Sequence, residues 1–66
     1  MENINVAIVD GNERIIEVAT NILERNQGIH IVGSATDGLK GLDLIRKTNP
    51  DIVLMDLIQL KQSMLE

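Results

Sequence analysis

The chain has 66 residues, of which 44% are apolar and 24% are charged, a composition typical of a small globular domain. Its net charge of −4 and its lack of Phe, Trp and Tyr argue against nucleic-acid binding, because phosphates are repelled and no aromatic ring can stack on a base. The absence of cysteine and the single histidine exclude disulfides and clustered thiolate or histidine metal sites. No apolar run is long enough to span a membrane, so we expect a cytoplasmic protein without a membrane or nucleic-acid partner.

The first predicted element is a strand over Ile4–Val9, whose apolar, mostly β-branched residues indicate burial on both faces. Asp10, Gly11 and Asn12 then predict a turn, and Asn12 is a suitable N-cap for a helix. The apolar residues of that helix share one stripe at helical spacing: Ile15, Ile16, Ala19, Ile22 and Leu23. We expect the helix to end at Gly28.

A second strand is predicted over Ile29–Ala35, weakened by Gly33, and Asp37 is placed to cap the helix that follows. The apolar stripe of this second helix consists of Leu39, Leu42 and Ile45. Asp43 lies one turn before Lys47, a spacing that favours an ion pair.

Asn49 and Pro50 predict the end of the second helix, because the residue before a proline is disfavoured in helical conformation. A third buried strand over Ile52–Met55 follows and ends at Asp56. The order strand, helix, strand, helix, strand predicts a parallel sheet with right-handed crossovers.

The tail after Asp56 has apolar residues at helical spacing and no glycine or proline. Two readings stay open for it: an apolar helix docked on this chain or on a partner, or a frayed end.

Asp10 and Asp56 each follow an apolar strand. If these strands are neighbours, both carboxylates lie at the carboxyl edge of the sheet, where open α/β sheets bind ligands. Two carboxylates there suit a hard cation such as Mg²⁺, and a carboxylate can also act as a nucleophile. The alternative is that both are ordinary turn residues, since Asp is favoured where a strand turns.

The segments INVAIVDGNERI and IVGSATDGLKGLDLIRKTNPDIVLMDLI resemble the first half of a response-regulator receiver domain. Within that family they are most similar to the receiver of the sporulation master regulator of endospore-forming bacteria. The resemblance covers residues 2–58 and implies an α/β, truncated flavodoxin-like fold with three parallel strands in the order 2-1-3 and two helices. It divides the chain into a receiver-like domain, 1–58, and a divergent C-terminal tail, 59–66.

The resemblance also assigns site residues. It implies that Asp56 is the phosphoacceptor, that Asp10 is the first acid of the family's acidic pair, and that the backbone carbonyl of Ile58 is a metal ligand. Gly11 stands where the family has its second acid, so we expect weakened Mg²⁺ binding.

Relative to the family, strands four and five, the switch Ser/Thr, the family's Lys and an output domain are missing. In the family the first helix contacts a kinase or phosphotransferase, which implies a recognition stripe of Arg14, Glu17, Val18 and Asn21. The third strand becomes an open apolar edge. We expect a second chain to cover it, most simply in a C₂ homodimer, through Ile52 and Leu54 with the tail residues Leu57, Leu60 and Met64.

These expectations predict a small regulatory protein and not an enzyme. It would modulate a phosphorelay, with inhibition of sporulation as its effect, by binding a kinase, a phosphotransferase or a full-length response regulator. The alternative is a surviving phosphoacceptor that takes phosphate on Asp56 as a sink. A third hypothesis is a fragment or degraded reading frame without a function of its own.

Overall fold

The computed structural model describes residues 3–56. It contains five elements: β1 (Ile4–Val9), α1 (Glu13–Leu23), β2 (Ile29–Ala35), α2 (Gly38–Thr48) and β3 (Ile52–Met55). The three strands are parallel and form one sheet in the order β2-β1-β3. The predicted truncated flavodoxin-like fold is confirmed. The predictions for Leu57, Ile58, Leu60 and Met64 lie outside the described residues.

β1 is the centre of the molecule, because it has a strand on each side and a helix on each face. Val6 and Ile8 are each 3% exposed and form a core cluster with Ile16 of α1. Side chains alternate between the two faces of a strand, and Val9 accordingly contacts Gly41 of α2 on the opposite face. The predicted burial of the first strand on both faces is therefore confirmed.

Two glycines set how closely α2 approaches the sheet. A Cβ atom at Gly41 would lie 2.9 Å from both methyl carbons of Val9, and one at Gly33 would lie 2.6 Å from Cδ1 of Leu44. Gly33 also stands where the β1–β2 register shifts, so that Val32 has no partner in β1. The predicted weakening of β2 at Gly33 thus corresponds to an irregularity and to a close helix contact.

The two helix starts follow the prediction. The side chain of Asn12 accepts a hydrogen bond from the backbone N–H of Arg14 at 2.9 Å. The side chain of Asp37 accepts from the N–H of Lys40 at 2.8 Å. α2 ends at Thr48 and is followed by the C-cap Asn49, a left-handed residue with φ of 46°, as the Asn-Pro pair predicts.

The predicted end of α1 is wrong. The helix ends at Leu23, and the N–H of Glu24 closes it on the carbonyl of Thr20 at 2.9 Å. Gly28 instead donates its N–H to the side chain of Asn26 in a following turn. The short polar side chain of Asn26 competes for the backbone, so the chain leaves the helix before it reaches the glycine.

The predicted apolar stripes are only partly buried. In α1, Ile16 is buried, while Ile15 and Ile22 are 50% and 56% exposed. In α2, Leu39 is 84% exposed and Leu42 is 45% exposed. The close contacts at Gly41 and Gly33 orient α2 so that Gly41 and Leu44 pack on the sheet. Leu39 and Leu42 are exposed, whereas Ile45, the third residue of the predicted stripe, is half-buried.

β3 is not the buried strand that its sequence predicts. Ile52, Leu54 and Met55 are 46%, 42% and 37% exposed. The reason is its position, since β3 pairs with β1 and with no other strand in the described part of the chain. Among residues 3–56, the expected open apolar edge is thus present.

Candidate functional site

The carboxyl edge of the sheet brings Asp10 and Asp56 to neighbouring strand ends. Val9 lies in register with Met55, so the two aspartates follow paired residues. The N–H of Asp56 donates to the carbonyl of Val9 at 3.1 Å, and the N–H of Asp10 donates to that of Ala35 at 3.0 Å. Both aspartates are half-buried. The predicted meeting of these two residues at one edge of the sheet is therefore what the fold produces.

The carboxylate of Asp10 also shapes the turn into α1. Its Oδ1 accepts the backbone N–H of Asn12 at 2.9 Å, and the side chain of Asn12 in turn caps the helix. This is the local hydrogen bonding that makes Asp a favoured turn residue. Asp10 therefore has a structural role whether or not it has a chemical one.

The carboxyl edge of the sheet offers too few oxygen ligands for a complete magnesium site. Carboxylate oxygens are suitable ligands for Mg²⁺, and Asp10 and Asp56 supply them. Gly11, at the position of the family's second acid, supplies none, and residues 3–56 contain no group of three or more acidic or histidine side chains that could hold a metal ion. The described residues thus do not fit a complete site for the ion, and the role of the Ile58 carbonyl lies outside them.

An apolar groove begins beside the two aspartates. It has a volume of about 550 Å³ and lies between α1 and the β1–β3 pair. Apart from the aspartates its lining is apolar: Ile8, Val9, Ile15, Ala19, Leu54 and Met55. The prediction placed Ile15 and Ala19 in the core stripe and missed this groove.

The predicted recognition stripe on α1 is accessible, because Arg14, Glu17, Val18 and Asn21 are all exposed. Arg14 and Val18 line a second depression of about 400 Å³, together with Ile15 and Ile22. The sequence contained a signal for it: α1 has apolar residues at Ile15, Val18 and Ile22 as well as at the buried positions. That apolar face is wider than one sheet can cover.

Comparison with known proteins assigns the family. The family profile of the response regulator receiver domain matches residues 6–62. The chain belongs to the response regulator receiver domain family. Membership supports a role in two-component, phosphorelay signalling, and receiver domains commonly bind Mg²⁺ and interact with phosphorelay proteins.

Several curated proteins are similar to this receiver chain. A protein-glutamate methylesterase/protein-glutamine glutaminase of Xanthomonas oryzae pv. oryzae is 40% identical over 53 residues, which is 80% of this chain and 15% of that protein. Proteins of the same name from Nitratidesulfovibrio vulgaris and Methanosarcina mazei are 37% and 40% identical, over 82% and 80% of this chain and 15% and 14% of theirs. The chain therefore spans about 15% of the length of these relatives.

No solved structure gives a significant match to this chain. The relatives named above are methylesterases, so the narrower likeness to the sporulation master regulator stays a prediction. In the described residues, no helix has the length and apolar character needed to cross a membrane.

Proposed function

We propose that this receiver chain is a regulatory protein of a phosphorelay and not an enzyme. It binds a kinase, a phosphotransferase or a full-length response regulator and lowers the flow of phosphate. Action in the cytoplasm and inhibition of sporulation are the narrower form of the same proposal.

The observation that carries the proposal is a difference between two parts of the receiver fold. The surface that the family uses for recognition is present and accessible on α1, at Arg14, Glu17, Val18 and Asn21. The position of the second metal-binding acid is Gly11. Because positioning and charge neutralisation provide most of the catalysis of phosphoryl transfer, losing an acid weakens chemistry more than it weakens binding.

A phosphotransfer assay tests the proposal. Purified chain is added to a kinase, a phosphotransferase and a full-length receiver, and the phosphate that reaches the receiver is measured. We expect both the wild-type chain and Asp56→Ala to lower the flow, because inhibition by binding does not require phosphate transfer to the aspartate. Unchanged flow in the presence of wild-type chain contradicts the proposal.

Charge reversal on α1 tests whether the recognition stripe is the surface that binds the phosphorelay protein. We expect Glu17→Lys to weaken inhibition on the order of tenfold, since a charge at an interface is replaced by its opposite. Asp43→Lys makes the same reversal of charge at an exposed position on α2, away from the stripe, and we expect it to inhibit like wild type.

The alternative function is a phosphate sink, supported by the meeting of Asp10 and Asp56 at one edge. A carboxylate oxygen of Asp56 would attack the phosphorus of a phosphohistidine, so that an O–P bond forms and the P–N bond breaks. Incubation with a phosphorylated donor distinguishes the two functions, because a sink requires Asp56 and accumulates acyl phosphate on the chain.

Gly11→Asp sharpens this test by restoring the second acid. No glycine among residues 3–56 has a positive φ, so an aspartate at Gly11 meets no backbone strain. If the missing acid limits the chemistry, Gly11→Asp gains Mg²⁺-dependent phosphorylation and Gly11→Asn, of similar size but without the charge, does not.

Self-association is the alternative way to cover this edge, because a C₂ homodimer would bury the exposed side chains of Ile52 and Leu54. Sedimentation of the purified chain at micromolar concentration measures it. A monomer there would contradict the homodimer and leave binding to another protein in place.

A further inference from the structure

The outer edge of β3 presents backbone groups that can pair with another strand. The N–H of Asp56 donates to the carbonyl of Val9, so the backbone of Asp56 faces β1. Successive residues of a strand direct their N–H and C=O groups to opposite sides. The backbone N–H and C=O groups of Leu54 therefore also point to β1, and those of Val53 and Met55 point to the outer edge. Such a row is a template for an added strand.

Both faces of this edge are apolar. Leu54 is 42% exposed and lies in register with Ile8, on the side where α1 packs. The groove lined by Ile15 continues the apolar surface there. Met55, next along the strand, is 37% exposed and lies on the opposite face. An added strand would cover these side chains while it satisfies the backbone row, which is the geometry of β-augmentation.

Carboxylates flank the strand at both ends. Asp51 precedes β3, and its Oδ2 accepts the N–H of Asn5 at 2.8 Å, which fixes it at the amino end. Asp56 follows β3 at the carboxyl end, beside Asp10. The backbone edge and its apolar side chains thus lie between two acidic positions.

The acidic ends disfavour pairing with a second copy. Antiparallel pairing would bring Asp51 of one copy near Asp56 of the other at each end, and parallel pairing would bring each aspartate near its own counterpart. Like charges on facing strands destabilise the pair. The net charge of −4 adds a long-range repulsion between copies.

We propose that the outer edge of β3 binds an extended segment of the partner protein, apolar at its centre and flanked at each end by Lys or Arg, in preference to a second copy of this chain. The inference rests on the proposed function and names the chemistry of its partner. In either direction of pairing, a basic residue of the segment lies beside Asp51 and another beside Asp56.

Binding of defined peptides tests the selectivity. The probes are two fluorescently labelled peptides of alternating valine and threonine, one with lysine and one with glutamate at both ends. We expect the lysine peptide to bind on the order of tenfold more tightly at low salt, and this advantage to shrink as salt screens the charges. Equal affinities would overturn the inference.

Two substitutions at Met55 separate the backbone from the side chain. Met55→Pro removes an outward N–H, and proline is tolerated on an edge strand whose N–H faces away from the sheet. Met55→Ala keeps the N–H and removes most of the side chain. With circular dichroism confirming the fold, we expect Met55→Pro to abolish peptide binding and Met55→Ala to retain it. Binding by a folded Met55→Pro variant would contradict the inference.

A charge variant provides an independent measurement. We expect Asp56→Lys to reduce the preference for the lysine peptide, because one acidic end is reversed, and Asp43→Lys, an exposed aspartate on α2, to leave the preference unchanged. An unaltered preference in Asp56→Lys would count against the inference.

The phosphotransfer assay keeps this inference separate from the proposed function. If the wild-type chain inhibits and Met55→Pro inhibits equally, the regulatory role stands and the β3 inference fails. A wild-type dimer that Met55→Pro converts to a monomer would show that a second copy occupies the edge, which also overturns the inference.

Discussion

β1 and β3 have the same kind of sequence and opposite environments. The four residues from Val6 to Val9 are at most 5% exposed, whereas Ile52, Leu54 and Met55 of β3 are 37% to 46% exposed. The difference comes from position in the sheet, because β1 has two neighbouring strands and β3 has one in the described part of the chain. An apolar run predicts a strand, but the topology around it decides whether the strand is buried in the core or partly exposed at the edge of the sheet.

The same substitution in the two strands gives the largest expected contrast. Ile8→Ala removes a side chain that is 3% exposed, and we expect it to destabilise the fold by about 2–5 kcal/mol. Ile52→Ala removes a side chain that is 46% exposed, and we expect a loss below about 1 kcal/mol. Urea denaturation followed by circular dichroism measures both, and equal losses would mean that β3 is covered in solution.

A pair of glycines in α2 extends the comparison to the helix that packs on β1. We expect Gly41→Ala to destabilise by about 1–3 kcal/mol, because its Cβ would lie 2.9 Å from the methyl groups of Val9. A Cβ atom at Gly38 would have no neighbour within 4 Å, so Gly38→Ala should change stability by less than about 1 kcal/mol, in the stabilising direction. The melting temperatures of the two variants decide this, and a stabilised Gly41→Ala would contradict the close packing.

The elements and their caps could be predicted because their signals are local. Asn12 and Asp37 accept the N–H groups of residues two and three positions on, and nothing distant is needed for those bonds. The burial of the helices could not be predicted in the same way. Leu39 continues a helical stripe, but α2 turns it outward because Gly41 is the residue that can approach Val9.

The same distinction between local and distant causes applies to the candidate site. Asp10 and Asp56 were predicted to meet because parallel strands end at one edge of a sheet. The bond between Asp10 and the N–H of Asn12 is local and agrees with the predicted turn. The groove beside Ile15 depends on how α1 lies against β3, and no pattern of residue types contains that arrangement.

The smallest expected effect on stability comes from an ion pair on the exposed surface of α2, away from both β1 and β3. The hydrogen bond from Lys47 Nζ to Asp43 Oδ2, at 2.8 Å, and the attraction between the two charges raise the pKa of Lys47 above its ordinary value of 10.5. A lysine whose pKa is raised in the folded state stabilises the fold fully at any pH below its pKa in the unfolded chain. This contribution is lost as the pH rises through the pKa of the folded state. We expect Asp43→Asn to lower the melting temperature only slightly at neutral pH, because both side chains are more than half exposed and solvent screens the pair. The difference from wild type should shrink in high salt and vanish well above pH 10.5, and a difference that grew with pH would show that Asp43 acts through another contact.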